Sequence, residues 1–258
     1  MCGTGTTSVA HLTIETVGHV RDAEVVFYQT SDPLTERWLL DQRPDAQSLS
    51  TSYAVGKARR DTYAEIVERI LTPVRAGRRV CATFYGHPGI VVESGHESIR
   101  RARLEGYDAR MLPGISAEAC LYADLGIDPV THGCVSREAT DFVLCDQPVD
   151  ATLDLVLWQV GFIGRMDYQE RFGTEGFPML VERLLEAHAP DHLATIYEAA
   201  SFAVARPRID RMALRALEPS QVTAFSTLFV PASAQVLHDP RRAARLAALC
   251  AGGIGVDH

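Results

Sequence analysis

The chain of 258 residues lacks an apolar run long enough to span a bilayer, so no membrane partner is expected. It is also short of basic charge. Lysine and arginine number 25 against 33 acidic residues, for a net charge of −8. That balance argues against a general grip on nucleic-acid phosphates, although a local basic groove stays open. None of the six cysteines (Cys2, Cys81, Cys120, Cys134, Cys145, Cys250) forms a C-x-x-C pair, and their spacings fit no zinc pattern. Cys81 and Cys120 lie in apolar runs, where reduced thiols act as small core residues. A reduced, cytoplasmic protein is expected. A secretory leader is not, because Met1-Cys2 is followed at once by a glycine-rich turn. Internal repeats and low-complexity segments are also lacking. What is present is ordinary for a soluble globular protein: 47% hydrophobic and 22% charged residues, enough for one large or two small domains.

The first half alternates strand and helix. Ala23 to Gln29, Arg79 to Tyr85 and Ala109 to Leu112 read as strands. Helical patterns run from Val9 to Val20, Lys57 to Ala76, Glu93 to Glu105 and Ala117 to Leu125. This alternation predicts a mostly parallel sheet covered by helices. The second half has more antiparallel character. Strands are expected at Asp141–Leu144, Leu153–Val160, Thr195–Tyr197 and Thr223–Val230, and helices at Leu180–Ala187 and Arg211–Leu217. Gly, Asp, Pro and His cluster between Gly126 and Gly133 and mark a boundary. The expected organisation is an N-terminal α/β lobe (1–128), a C-terminal α/β lobe (129–238), and a basic helix and tail (239–258) with the helix ending at Gly252-Gly253. A strand should precede the turn Gly3-Thr4-Gly5, yet only Met1 and Cys2 do. Either that strand is very short or the natural N-terminus is longer.

Gly3-x-Gly5 leading into a helix can bring backbone N–H groups close to a ligand. The third glycine of the dinucleotide fingerprint is missing, since Val9 and Ala10 occupy that neighbourhood, and no acidic residue closes the next strand. Nicotinamide binding and the commonest methyltransferase fold lose support accordingly. Phe84-Tyr85-Gly86-His87-Pro88-Gly89 is more informative: a buried strand ends in a loop rich in glycine and hydrogen-bonding rings. Ligands of open α/β sheets bind at the carboxyl ends of strands. Arg110-Met111-Leu112-Pro113-Gly114-Ile115-Ser116-Ala117 repeats the pattern, with Ser116 placed as a helix cap.

The glycine turn, FYGHPG and LPGISAE, in this order and spacing, resemble the tetrapyrrole-methylase family. So do Leu157-Trp158-Gln159-Val160-Gly161 and the stretch from Phe225 to Pro231. Within that family, His87 in place of the usual Asp is similar to the borosin enzymes, which methylate backbone amide nitrogens of a peptide. HGCVSREATDF (132–142) and SYAVGKARRDTY (52–63) are similar to them too. The resemblance covers Gly3 to Pro231. It implies a two-lobed α/β fold, a mostly parallel N-terminal sheet and a mixed C-terminal sheet, with S-adenosyl-L-methionine in the cleft between them. It also implies that Tyr85, His87, Ile90, Val91, Ser116, Ala117, Gln159, Tyr197, Ser226 and Thr227 hold that cofactor. Taken singly, Tyr197 reads as core and Gln159 as a satisfied strand end.

Tyr53, Arg59 and Tyr63 form a second constellation. Arg59 and Tyr63 stand at i and i+4 on a helix whose apolar positions 63, 66, 67, 70, 71 and 74 form one stripe. Spacing alone reads Tyr63 as a core tyrosine and Arg59 as half of an ion pair. The resemblance places the three at the methyl-acceptor site, with Ser50 where fungal-type enzymes carry a further tyrosine. An amide nitrogen is a poor nucleophile because its lone pair is delocalised. The expected roles are Tyr63 as base, Arg59 favouring the tyrosinate and polarising the amide, and Tyr53 donating to the developing oxyanion. No metal is expected. His188 and His192 look like a ligand pair, but Pro190 between them breaks the helix that would align them, and both read as solvated.

The chain continues about 27 residues past Pro231, too short a stretch for a clasp and a substrate tail. A split enzyme acting in trans on a separate precursor peptide is therefore expected, as a homodimer or as a heterotetramer with two precursors. Two alternatives stay open: methylation of a tetrapyrrole, corrinoid or other small acceptor, and a non-catalytic protein that binds the cofactor or a peptide.

Overall fold

The computed structural model describes residues 1–165 and 173–251. Gly252 and Gly253, named above as the end of the last helix, lie outside them. A four-stranded sheet, all parallel, occupies the first part. It is built from β1 (Cys2–Gly3), β2 (Val25–Gln29), β3 (Gln47–Ser48) and β4 (Val80–Phe84), in the order β1-β4-β2-β3. β2 and β4 are apolar through most of their length because both faces are covered. The covering helices are α1 (Ile14–Asp22), α2 (Pro33–Gln42), α3 (Arg59–Arg75) and α4 (Glu93–Leu104). α3 buries Ile66, Val67, Ile70 and Leu71, the apolar stripe read from the sequence.

A five-stranded mixed sheet follows. Its strands are β5 (Cys134–Glu138), β6 (Asp154–Trp158), β7 (Leu193–Glu198), β8 (Arg208–Ala213) and β9 (Thr227–Val230), ordered β5-β6-β9-β7-β8. Only β5 and β6 run parallel; the other neighbours are antiparallel. α7 (Ala139–Leu144) and α8 (Phe177–Leu185) cover one face around Phe177, Leu180 and Leu184. α5 (Ala117–Leu125) precedes the Gly126–Gly133 segment, yet packs on this second sheet through Leu121 against Val156, Tyr197 and Phe229. α6 (Pro129–His132) lies within that connecting segment, and α9 (Pro240–Ala251) is the basic C-terminal helix. Among the described residues no helix is long and apolar enough to cross a membrane. The two-lobed α/β reading, with one parallel and one mixed sheet, is borne out.

Several local expectations are corrected. The first helix does not begin at Val9: that residue takes φ 57°, and the helix starts after Thr13, whose side chain accepts from the Thr16 N–H. Tertiary bonds tie down the residues before it. Thr6 and Thr7 donate to the carbonyls of Ile115 and Ala200, and the Ser8 N–H donates to Ser201. Ala109–Leu112 is extended but forms no strand. Its backbone bonds to Met1 through the Arg110 carbonyl and the Leu112 N–H, the Ala109 carbonyl accepts from the Arg103 side chain, and Pro113 has no N–H to continue a ladder. Asp141–Leu144 is helical, capped by Glu138, which accepts from the Asp141 N–H; the strand is the preceding Cys134–Glu138. Arg211–Leu217 is the end of β8 followed by a 3-10 turn, because residues 208–213 pair along the edge of β7. The last strand is shorter than expected: residues 223–226 form a turn before β9. α2, with Asp32 as its cap and Pro33 in its first turn, was not anticipated. His188 is not solvated, and His192 is only partly so. His188 is 4% exposed, stacks on His192 at 4.9 Å and bonds the Ser233 hydroxyl, while His192 bonds the Pro231 carbonyl.

Candidate functional site

The carboxyl ends of β4, β6 and β7 and the start of β9 face one another across a cleft of about 390 Å3. That volume lies in the range of roughly 300–1,000 Å3 usual for small-molecule sites. Three glycine motifs meet at its floor. Gly5 and Gly86 exchange backbone hydrogen bonds of 3.2 and 3.0 Å, so the Gly3-x-Gly5 turn is laced to the loop after β4. A Cβ on Gly114 would sit 2.6 Å from the Gly86 carbonyl oxygen and 2.9 Å from the Gly3 Cα. Backbone packs on backbone there, which only glycine permits.

Nine of the ten residues expected to hold the cofactor line this cleft: Tyr85, His87, Ile90, Val91, Ser116, Ala117, Gln159, Ser226 and Thr227. The tenth, Tyr197, does not. It is 1% exposed, and its hydroxyl donates to Asp124 at 2.6 Å, so burial and that carboxylate push its pKa up. Ser116 caps α5, its Oγ accepting from the Ala119 N–H at 3.1 Å. His87 Nδ1 accepts from the Gly89 N–H at 2.9 Å, so when neutral the ring carries its proton on Nε2. Burial holds the Tyr85 hydroxyl at a pKa of about 12, a neutral donor or acceptor at any working pH.

Two lining residues have backbones in the left-handed region without being glycine, Val91 at φ 56° and Gln159 at φ 58°. A β-branched residue there costs on the order of 1–3 kcal/mol. Val91 is about half exposed, so its side chain returns little burial. Val91→Gly should therefore raise unfolding stability by about 1 kcal/mol, the strain relieved less the entropy of glycine. Chemical denaturation measures this; a lowered midpoint would show that the valine side chain, not strain, dominates.

Tyr53 and Tyr63 line the same cleft, and Tyr53 accepts a hydrogen bond from the Gln29 amide at 3.0 Å. Arg59 stands just behind, its guanidinium 5.3 Å from the ring centroid of the lining residue Phe162. The expected lowering of the Tyr63 pKa is corrected. Burial is the largest influence and raises it, Tyr53 raises it further, and the lowering by Arg59 does not compensate.

Sequence reasoning missed Gln29, Glu93, Trp158, Phe162 and Glu198, all of which line the cleft. Trp158 and Glu198 end β6 and β7, so strand ends were the available signal. Glu93 and Glu198 are the acidic side chains lining the cleft, and no lysine or arginine does so among the described residues. Among the described residues no group of His, Cys, Asp or Glu could hold a metal ion.

The sequence model of the Tetrapyrrole (Corrin/Porphyrin) Methylases matches residues 1–213. The chain belongs to that family. The solved methyltransferase CobJ superposes with a TM-score of 0.64 at 18% identity, covering 93% of this chain and 95% of that one. A uroporphyrin-III-C-methyltransferase from Thermus thermophilus gives 0.64 at 20% identity, over 89% and 92%. Those identities establish a shared tetrapyrrole-methylase fold. Curated relatives are more similar. One from Gymnopus fusipes, named a methyltransferase/ribosomally synthesized cyclic peptide gymnopeptides precursor, is 41% identical over 89% of this chain and 56% of its own length. One from Coprinopsis marcescibilis, named a methyltransferase/type I borosin cyclic peptide precursor, is 38% identical over 90% and 61%. The corresponding omphalotin A precursor of Omphalotus olearius is 38% identical over 98% and 62%. The resemblance to borosin enzymes is thus borne out, and the chain spans 56–62% of the length of these three relatives.

Proposed function

We propose that this tetrapyrrole-methylase uses S-adenosyl-L-methionine to methylate backbone amide nitrogens of a ribosomally made precursor peptide presented in trans. The observation that carries the reading is a single cleft joining nine cofactor-type residues to Tyr53 and Tyr63, with Arg59 behind them. The cofactor fits the residues present. It is a cation at its sulfonium, and the acidic side chains of the cleft are Glu93 and Glu198. Trp158, Ile90 and Val91 offer apolar surface for a base, and Tyr85, Ser116 and Gln159 offer hydrogen-bonding groups.

Bound S-adenosyl-L-methionine supplies an electrophilic methyl group, leaving S-adenosyl-L-homocysteine. The protein's own contribution is to make the amide reactive and to hold it in line. Tyr63 accepts the amide N–H proton. Arg59 favours the ionised tyrosine and polarises the amide. Tyr53, already held by Gln29, donates to the oxygen on which negative charge grows. A homodimer, or a heterotetramer with two precursors, is the proposed assembly. Six unpaired cysteines support a reducing, cytoplasmic setting.

The test is intact-mass spectrometry of a candidate precursor incubated with the protein and S-adenosyl-L-methionine. Steps of one methyl, placed on backbone amides by fragmentation, are expected. Methylation of a uroporphyrinogen-type acceptor with none on peptide would move the reading to small-molecule chemistry.

A further inference from the structure

Ser226 lines the cleft, but its hydroxyl is spoken for. It is 2% exposed, donates to Glu198 Oε1 at 2.6 Å and accepts from the Thr223 N–H at 2.8 Å. Glu198 Oε1 also accepts from the Thr223 hydroxyl at 2.8 Å and from Arg208 Nη1 at 2.9 Å. Arg208 cannot swing to the other carboxylate oxygen, because its Nε is on Asp210 and its Nη2 on the Gln221 carbonyl. The network pins one oxygen of the carboxylate and leaves Oε2 with no hydrogen-bond partner among the described residues. An ionised carboxylate has acceptor capacity on both oxygens. Glu198 retains 21% side-chain exposure and lines the cleft. The same bonds keep it ionised: they hold its pKa below the usual carboxylate value although burial, the largest single influence, pushes the other way.

We propose that Glu198, rather than Ser226, is the ligand-binding group on this wall, its Oε2 accepting from a hydrogen-bond donor of the methyl donor. Ser226, Thr223 and Arg208 are then positioning residues that aim and charge that carboxylate. The donor group is a ribose hydroxyl or the α-ammonium; both present N–H or O–H to an anionic acceptor. The inference rests on the reading of the cleft as the S-adenosyl-L-methionine site.

Isothermal titration calorimetry on the full chain tests it without needing a peptide. Glu198→Gln keeps an acceptor for the three pinned donors and replaces an anionic oxygen by an amide. It should raise the Kd for S-adenosyl-L-methionine about tenfold, whereas Ser226→Ala, which leaves the carboxylate in place, should raise it only about twofold. With 5′-methylthioadenosine, which has the ribose hydroxyls and no ammonium, an equal loss in Glu198→Gln assigns the contact to the hydroxyls. An undiminished affinity assigns it to the ammonium. Equal losses in Glu198→Gln and Ser226→Ala would reduce Glu198 to a structural knot and overturn the proposal, as would unchanged affinity in Glu198→Gln. Failure of the unsubstituted chain to bind S-adenosyl-L-methionine would instead remove the donor reading itself.

Discussion

Tyr63→Phe should lower methyl transfer to peptide by about two to three orders of magnitude, the usual contribution of a positioned proton acceptor. Donor affinity should hardly change, because the variant keeps the ring and its packing and loses one hydroxyl on the acceptor side. The pH profile is the sharper part of the expectation. Burial raises the Tyr63 pKa above the ordinary value of about 10, with Tyr53 and Glu93 adding to the rise and Arg59 opposing it. The ionised fraction is therefore small near neutrality and grows up to tenfold for each pH unit below that pKa. Single-turnover rates of the unsubstituted chain should climb between about pH 7 and pH 9, and those of Tyr63→Phe should stay flat. Arg59→Gln removes the lowering influence, so its profile should lie further towards high pH. A flat profile in the unsubstituted chain, or near-normal turnover by Tyr63→Phe with saturating peptide, would sink the assignment of Tyr63 as base.

The same three residues show how far the sequence can be read. Their i, i+4 spacing on α3 placed Arg59 and Tyr63 on one helical face, and the burial of Ile66, Val67, Ile70 and Leu71 agrees with the stripe. What spacing could not convey was the balance of fields. The guanidinium was legible, whereas the desolvation that outweighs it comes from burial by the folded chain, which spacing on one helix does not show. Elements defined by tertiary bonds were lost in the same way. The helix expected from Val9 starts only after Thr13, because residues 6–9 are held by Ile115, Ala200, Ser201 and Thr35 from elsewhere in the sequence. Edge pairing likewise turned Arg211–Ala213 into strand. Short runs such as Phe142–Leu144 carry too few residues to show a period, and the cap at Glu138 decided for helix. Glu198 ends β7 beside Tyr197: the tyrosine packs into the core while the glutamate lines the cleft, a division that alternation along a strand permits but the sequence does not label.

The glycine motifs were the most legible part of the site, and the structure explains why in terms that can be tested. Gly114 does not need a left-handed backbone; its constraint is space. A methyl group there would lie 2.6 Å from the Gly86 carbonyl oxygen and 2.9 Å from the Gly3 Cα, both backbone atoms with no side-chain torsion to relieve the clash. Gly114→Ala should therefore cost about 3 kcal/mol, the upper part of the overpacking range. In a chain of this size that lowers Tm by about 6–12 °C. Because Gly86 and Ser116 flank the clash and line the cleft, separation of the two loops should also weaken donor binding more than the loss of stability alone predicts. Gly77→Ala is the control. Gly77 has φ 77° and nothing within 4 Å of its missing Cβ, so alanine there meets only backbone strain of about 1–2 kcal/mol, far from the cleft. If Gly114→Ala and Gly77→Ala lower Tm alike and neither alters binding at a temperature where both are folded, the glycines are turn formers. If only Gly114→Ala loses the ligand, the three motifs are a single packed unit that shapes the floor of the site.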